Sequence, residues 1–187
     1  MQDSHKLAEH AVTLYDIASK GFILDIGGGG EGVIGRLKGD KVIAIDKRLD
    51  ELQETQNEAL KLTMDATDLK FADNSFGVVT SFFSLMYIPR GSHEQVLREA
   101  YRVLKAGGKL LIWDVTIPRR SPDDPSILLL PLQIKLPQET ISTTYGVGWE
   151  GREQNSAHFA KIAEAIGFEF VQQDQWQEIF YIEMVKR

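Results

Sequence analysis

Two spacings of apolar residues alternate along this chain and predict its elements. Leu7, Ala11, Leu14 and Ala18 fall three and four apart, so residues 1–20 read as a helix stopped by Gly21. Phe22 to Asp25 is a short apolar run closed by glycines, as expected of a strand buried on both faces. A brief helix follows from Val33, a second strand runs from Lys41 to Ile45 and ends at Asp46, and Leu49, Leu52 and Gln56 mark a surface helix. Lys61 to Met64 is a weak third strand and Phe76 to Ser81 a fourth. Ser92 and Gln95 have the spacing of a capping box, opening a helix with Val96, Leu97, Ala100, Tyr101 and Leu104 inward. Gly107 and Gly108 are read as its end and Lys109 to Asp114 as the fifth strand. Alternating strands and helices predict an α/β fold, a doubly wound and mostly parallel sheet.

The pattern changes between Thr116 and Asn155, which holds five of the six prolines. Leu132, Ile134 and Leu136 alternate with polar residues, as do Ile141, Thr143, Tyr145, Val147 and Trp149, with Pro137 to Glu139 between the runs. This predicts a β-hairpin over 127–149, inserted after strand five. Its apolar stripe needs a cover, because a lone two-stranded ribbon is marginal in water. A second copy of the chain is the expected cover, giving a homodimer; the alternative is a lid over a substrate pocket. Asn155 is a good helix N-cap and Gly167 a stop, with Phe159, Ile162, Ala163 and Ile166 inward. Phe168 to Val171 and Ile179 to Val185 close the chain as strands. No linker is apparent, so residues 1–187 are read as one domain with an insertion at 116–154.

Composition narrows the function. The 187 residues are 43% hydrophobic and 26% charged, with a net charge of −6, which argues against general nucleic-acid binding. There is no cysteine, and none of His5, His10, His93 and His158 has the spacing of a helical zinc site, so no metal is expected. The polar stretch from Met1 to His10 is unlike a signal peptide, and the longest apolar run, Ile127 to Leu132, is too short to span a bilayer. A cytoplasmic protein without membrane attachment is the expectation.

Candidate chemistry begins at Asp25-Ile-Gly27-Gly28-Gly29-Gly30-Glu31-Gly32, between a strand and a helix. Glycines there let a ligand approach the backbone. Asp46, at the end of the next strand, is placed to accept both hydroxyls of a ribose. An adenosyl cofactor is therefore expected. Gly27, Gly29 and Gly32 also satisfy the dinucleotide spacing, which keeps an NAD-dependent oxidoreductase open. Glu31 disfavours it, since its charge would lie close to a pyrophosphate.

Downstream blocks sharpen the choice. Met64-Asp-Ala-Thr-Asp-Leu69, Phe71-Ala-Asp-Asn-Ser-Phe-Gly-Val-Val79 and Leu97-Arg-Glu-Ala-Tyr-Arg-Val-Leu-Lys-Ala-Gly-Gly-Lys-Leu-Leu-Ile112 closely resemble the class I, Rossmann-like S-adenosylmethionine-dependent methyltransferases. With the glycine loop, the resemblance spans Phe22 to Asp114. It implies a seven-stranded sheet whose last strand runs antiparallel between its neighbours, and S-adenosylmethionine as cofactor. By position it implies that Gly27, Gly28 and Gly29 hold the methionine part while Asp25 shapes the loop. Asp46 would take the ribose hydroxyls and Lys47 lie along the adenine. Asp65 and the Ala66 amide would meet the adenine edge, and Ser81 and Phe82 would line the channel beside the transferable methyl. Two positions depart from the family pattern: Glu31 stands where a third glycine is usual, and Gly77 where an aspartate is common.

Methyl transfer needs positioning and electrostatics, with a base only where the acceptor must lose a proton. Two residues are candidates for that work. Tyr87 reads either as an acceptor-binding hydroxyl or as a supporting aromatic. Asp114 reads either as an orienting or basic carboxylate or as a loop cap. His5 and His10 are expected on the solvent face of the first helix, or else covering the cofactor; His93 and His158 are likewise expected to be solvent-facing helix residues. The resulting expectation is methyl transfer from S-adenosylmethionine to a small-molecule acceptor, with a non-catalytic cofactor-binding partner subunit as the alternative.

Overall fold

The computed structural model describes residues 4–187. The first three positions of the expected N-terminal helix therefore lie outside the described residues. The remainder of that segment is extended, with β1 at Ser4–Lys6 and β2 at His10–Thr13. Spacings of three and four misled here. His10, Val12 and Leu14 are buried while Ala11 and Thr13 are exposed, which is the period of a strand.

The main sheet is built from β3 (Ile23–Ile26), β4 (Val42–Asp46), β5 (Leu60–Thr63), β6 (Phe76–Phe82), β7 (Leu104–Val115), β10 (Phe168–Trp176) and β11 (Ile179–Lys186). Its order is β10-β11-β7-β6-β3-β4-β5. The pairs from β7 to β5 are parallel, and β11 lies antiparallel between β7 and β10, as the resemblance implied. Chain direction in sheet order reverses at β3, so the C-terminal ends of β3, β4 and β6 open onto one crevice.

Each face of the sheet has its own core. On one side α3 (His93–Val103) and α4 (Ser156–Ile166) bury Val96, Leu97, Ala100, Phe159 and Ala163 against Leu24, Leu110 and Ile182. Asn155 caps α4 by accepting from the His158 amide at 2.8 Å, and Gly167 ends it at φ 113°. The expected capping box at α3 does not form: Ser92 makes no side-chain cap, and the Gln95 amide instead donates to the Thr67 carbonyl at 3.2 Å. Gly107 and Gly108 do not end α3 either. The helix stops at Val103, and both glycines lie within β7, in the stretch where its register against β6 shifts.

The opposite face packs on α1 (Val33–Lys38), α2 (Leu49–Glu54) and a second, smaller sheet. That sheet contains the expected hairpin, β8 (Ile127–Lys135) and β9 (Thr140–Gly148), paired in register from Ile127–Gly148 to Lys135–Thr140. β1 and β2 add to the other edge of β8, both parallel to it. Leu128, Leu130, Leu132 and Ile134 are buried against Val78, Leu111, Trp113 and Ile179 of the main sheet. The expectation that a second copy covers the stripe is thus corrected. Trp149 is only 5% exposed, and its indole donates to the Pro118 carbonyl at 2.8 Å. Among the described residues no N-terminal helix occupies this face, so the chain supplies the cover itself.

Truncating Trp149 to Ala should therefore lower stability by about 3–5 kcal/mol, the usual cost of emptying a large buried aromatic site. Urea unfolding checks this, and a loss below about 1 kcal/mol would show that the hairpin does not pack as described.

Candidate active site

The glycine loop leaves β3 and turns over the end of β4. Gly27 and Gly28 donate their amides to the Ile45 carbonyl at 2.8 and 3.0 Å, which draws the loop against the sheet. Gly27 has φ 74°, and a Cβ there would lie 2.3 Å from the Ser84 Cβ, so a side chain is excluded on both counts. A Cβ on Gly29 would lie 2.6 Å from the Glu51 Cβ and 2.9 Å from Asp46 Oδ2, which keeps the path beside the Asp46 carboxylate open.

Beneath the loop Asp25 is 2% exposed and accepts from the Thr80 hydroxyl at 2.7 Å. Burial pushes its pKa up to about 7, opposed by that hydrogen bond and reinforced by the Asp46 charge. Asp46 itself accepts from the Arg48 amide at 2.9 Å. Asp65 is held in the opposite sense: Lys47 at 2.9 Å, then the Thr67 amide and hydroxyl at 2.9 and 2.7 Å, lower its pKa to about 2.

These groups share one cavity of about 1000 Å³. It is lined by Asp25, Gly27, Gly28, Gly29, Asp46, Lys47, Asp65, Ala66, Phe82 and Tyr87, all expected from the sequence. Two expected residues are not on its wall. Ser81 lies one layer behind, its hydroxyl 2.6 Å from that of Ser84, which in turn donates to the Ile26 carbonyl at 2.7 Å. Asp114 is fully buried under the turn at Leu85–Tyr87, where it accepts from the Met86 amide at 3.3 Å, the Val115 amide at 2.8 Å and the Gln154 side chain at 2.7 Å. Its position matches the loop-capping reading. Burial pushes its pKa up to about 7 against those hydrogen bonds.

The same turn is held from its other side by His93. With Nε2 3.1 Å from both the Leu85 and Ile88 carbonyls, that nitrogen carries the proton, and Nδ1 accepts from His158 Nε2 at 2.9 Å. Burial lowers the pKa of both rings, that of His158 to about 4. The expectation of a solvent-facing residue is thus corrected for His93, which is fully buried because its ring ties down the turn. His10 departs from expectation: it is 3% exposed, with Nε2 3.1 Å from Glu178 Oε2, and neither it nor His5 lines the cavity.

Sequence reasoning missed Phe83, Ser84 and Gly146 as lining residues. Phe83 adopts φ 47°, unusual for a side-chain-bearing residue, which turns the chain back at the end of β6. Only the small Ser84 after two bulky residues hinted at a close approach there.

Residues 24–112 match the family model described as a methyltransferase domain. Over that segment the chain is similar to methyltransferase domains. The domain is 50% identical over 54 residues to the demethylmenaquinone methyltransferase of Listeria welshimeri, covering 29% of this chain and 22% of that protein. It is 52% identical over 48 residues to a ubiquinone/menaquinone biosynthesis C-methyltransferase of Rhizobium meliloti, covering 26% and 18%. The matched segment thus spans about a fifth of the curated relatives' length. The fold extends further: a SAM-dependent methyltransferase from Methanosarcina mazei superposes with a TM-score of 0.64 over 94% of this chain and 99% of its own, at 16% identity.

The raised pKa of Asp114 fixes the sign of a pH effect. Its contribution to stability is complete below the ordinary aspartate pKa of about 4 and is lost as pH rises through about 7. Asp114→Asn should flatten that decline between pH 4 and 8, read from urea midpoints of both proteins across the range. Parallel pH profiles would contradict a buried, proton-holding Asp114.

Proposed function

We propose that this chain transfers the methyl group of S-adenosylmethionine to a small-molecule acceptor. The observation that carries the proposal is the continuity of the cavity. The glycine loop touches both parts of its wall: Gly29 lies beside the Asp46 carboxylate, and Gly27 lies against Ser84 in the turn that carries Phe83 and Tyr87. Such a shape suits a donor and an acceptor lying end to end.

The residues present fit the cofactor. Asp46 would hold the ribose hydroxyls, Asp65 and the Ala66 amide the adenine, and the backbone at Gly27 to Gly29 the methionine part. When bound, the cofactor supplies a methyl group already activated by a sulfonium. Asp25, Asp46, Glu51, Glu54 and Asp65 line the cavity against Arg36, Lys47 and Arg48. That excess of carboxylates favours a cationic donor over the pyrophosphate of NAD. The chain's own contribution is to orient: Asp114 and His93 fix the turn that carries Tyr87, and Ser84 fixes the loop against it. The two relatives carry names from menaquinone and ubiquinone biosynthesis, and an aromatic-walled end is compatible with a ring-bearing acceptor here.

Calorimetry with S-adenosylhomocysteine and with NAD tests the donor side, and preferential NAD binding would defeat the proposal. Asp46→Ala removes hydrogen bonds to a carboxylate worth roughly 1.5–3 kcal/mol each. Affinity for S-adenosylhomocysteine should fall at least tenfold with the melting temperature of the free protein nearly unchanged. Transfer of labelled methyl across a panel of small acceptors then tests the reaction.

A further inference from the structure

Glu31 occupies a place in the loop where its side chain leaves the donor-binding backbone and crosses to the inserted hairpin. Its carboxylate accepts from the Thr143 hydroxyl on β9, and Tyr145 follows two residues on along the same strand. The Tyr145 ring lies 6.0 Å from that of Phe83, inclined by 31°, so the hairpin and the turn after β6 form one aromatic wall beside this carboxylate. Glu31, Phe83, Tyr87 and Tyr145 all line the cavity.

Both phenols on that wall stay protonated. Burial first, and the Glu31 charge second, push the pKa of Tyr87 and of Tyr145 up. The Arg36 guanidinium donates to the Glu31 carbonyl at 2.7 Å and to Glu139 at 3.2 Å, so its hydrogen bonds go to groups other than the Glu31 carboxylate. A ligand entering this end meets aromatic faces, two phenol hydroxyls and an acid.

We infer that Glu31, on a wall completed by Tyr145 of the hairpin, recognises the acceptor, and that it selects an uncharged aromatic molecule bearing an O–H or N–H donor. This rests on the reading of the cavity as a methyl-donor site. The physical reason is short-range charge. A donor hydrogen on the ring finds an acceptor oxygen in Glu31, whereas an anionic ring substituent is brought against a like charge. Glu31 thus acts on the choice of acceptor and leaves donor binding to Asp46 and Asp65.

The test uses the full chain saturated with S-adenosylhomocysteine, titrated with phenol, anisole and benzoate and followed by backbone amide shifts of Gly30 and Gly146. Phenol should bind at least tenfold tighter than benzoate and tighter than anisole. Glu31→Gln, which keeps the side-chain shape, should bring phenol and benzoate within about threefold while S-adenosylhomocysteine affinity holds. Thr143→Val keeps the side-chain shape, removes the hydroxyl that holds Glu31, and should weaken phenol alone. Benzoate binding as tightly as phenol, or an unchanged preference in Glu31→Gln, would overturn the inference. So would a more than tenfold loss of S-adenosylhomocysteine affinity in Glu31→Gln, which would assign the carboxylate to the donor. Failure of the wild type to bind S-adenosylhomocysteine would instead overturn the donor reading beneath it.

Discussion

The ligand end of this protein depends on the close contact between Ser84 and the end of β3. The Ser84 hydroxyl donates to the Ile26 carbonyl, and the Gly27 backbone fills the space beside the Ser84 Cβ. Two segments distant in sequence, the glycine loop and the turn after β6, are thereby fixed at one separation. Any side chain at Gly27 would force them apart, and Phe83 must take a left-handed conformation to let Ser84 reach. Backbone strain of this kind, roughly 1–3 kcal/mol, persists only where neighbours over-determine the geometry. Here the Phe83 amide donates to Trp113, Asp114 takes the Met86 amide, and His93 takes two carbonyls of the same turn.

That scaffold assigns different work to carboxylates of one chemical type. Asp65, paired with Lys47 and only part-buried, is held ionised. Asp25 and Asp114, fully enclosed, are held near their titration point by desolvation. Environment alone separates these groups. Asp114 shows the consequence most clearly, because a carboxylate at the end of a central strand faces amides of the adjoining turn and leaves the cavity to Tyr87.

The central sheet was legible in the sequence because its signals are local. A buried parallel strand is a run of apolar residues closed by glycine or acid, and Phe22 to Asp25 and Lys41 to Asp46 carry that signal directly. Much of the cavity lining was legible for the same reason, since Asp25, Asp46 and Asp65 stand at or just beyond strand ends. What failed was non-local. The segment from Leu7 to Ala18 satisfies a helical spacing and a strand spacing at once, and only the free edge of β8 decides between them. The cover of the hairpin went the same way: its apolar stripe was read correctly, but whether it meets this chain or another depends on which face of the main sheet lacks a helix. Glu31 was singled out for the anion it repels; its hydrogen bond with Thr143 crosses more than a hundred residues and leaves no mark on local pattern.

The parallel pairing of β1 and β2 with β8 has a consequence for the order of assembly. His5 sits opposite Leu128 and His10 opposite Leu132, so the earliest strands find their partner only after roughly 120 further residues have emerged. Through most of synthesis the nascent chain exposes Val12 and Leu14 without a neighbour, while β3 to β7 can already associate. Such late closure is slow and leaves sticky edges open. The smaller sheet is therefore the part of this protein that a ribosome-bound chaperone has most reason to shield.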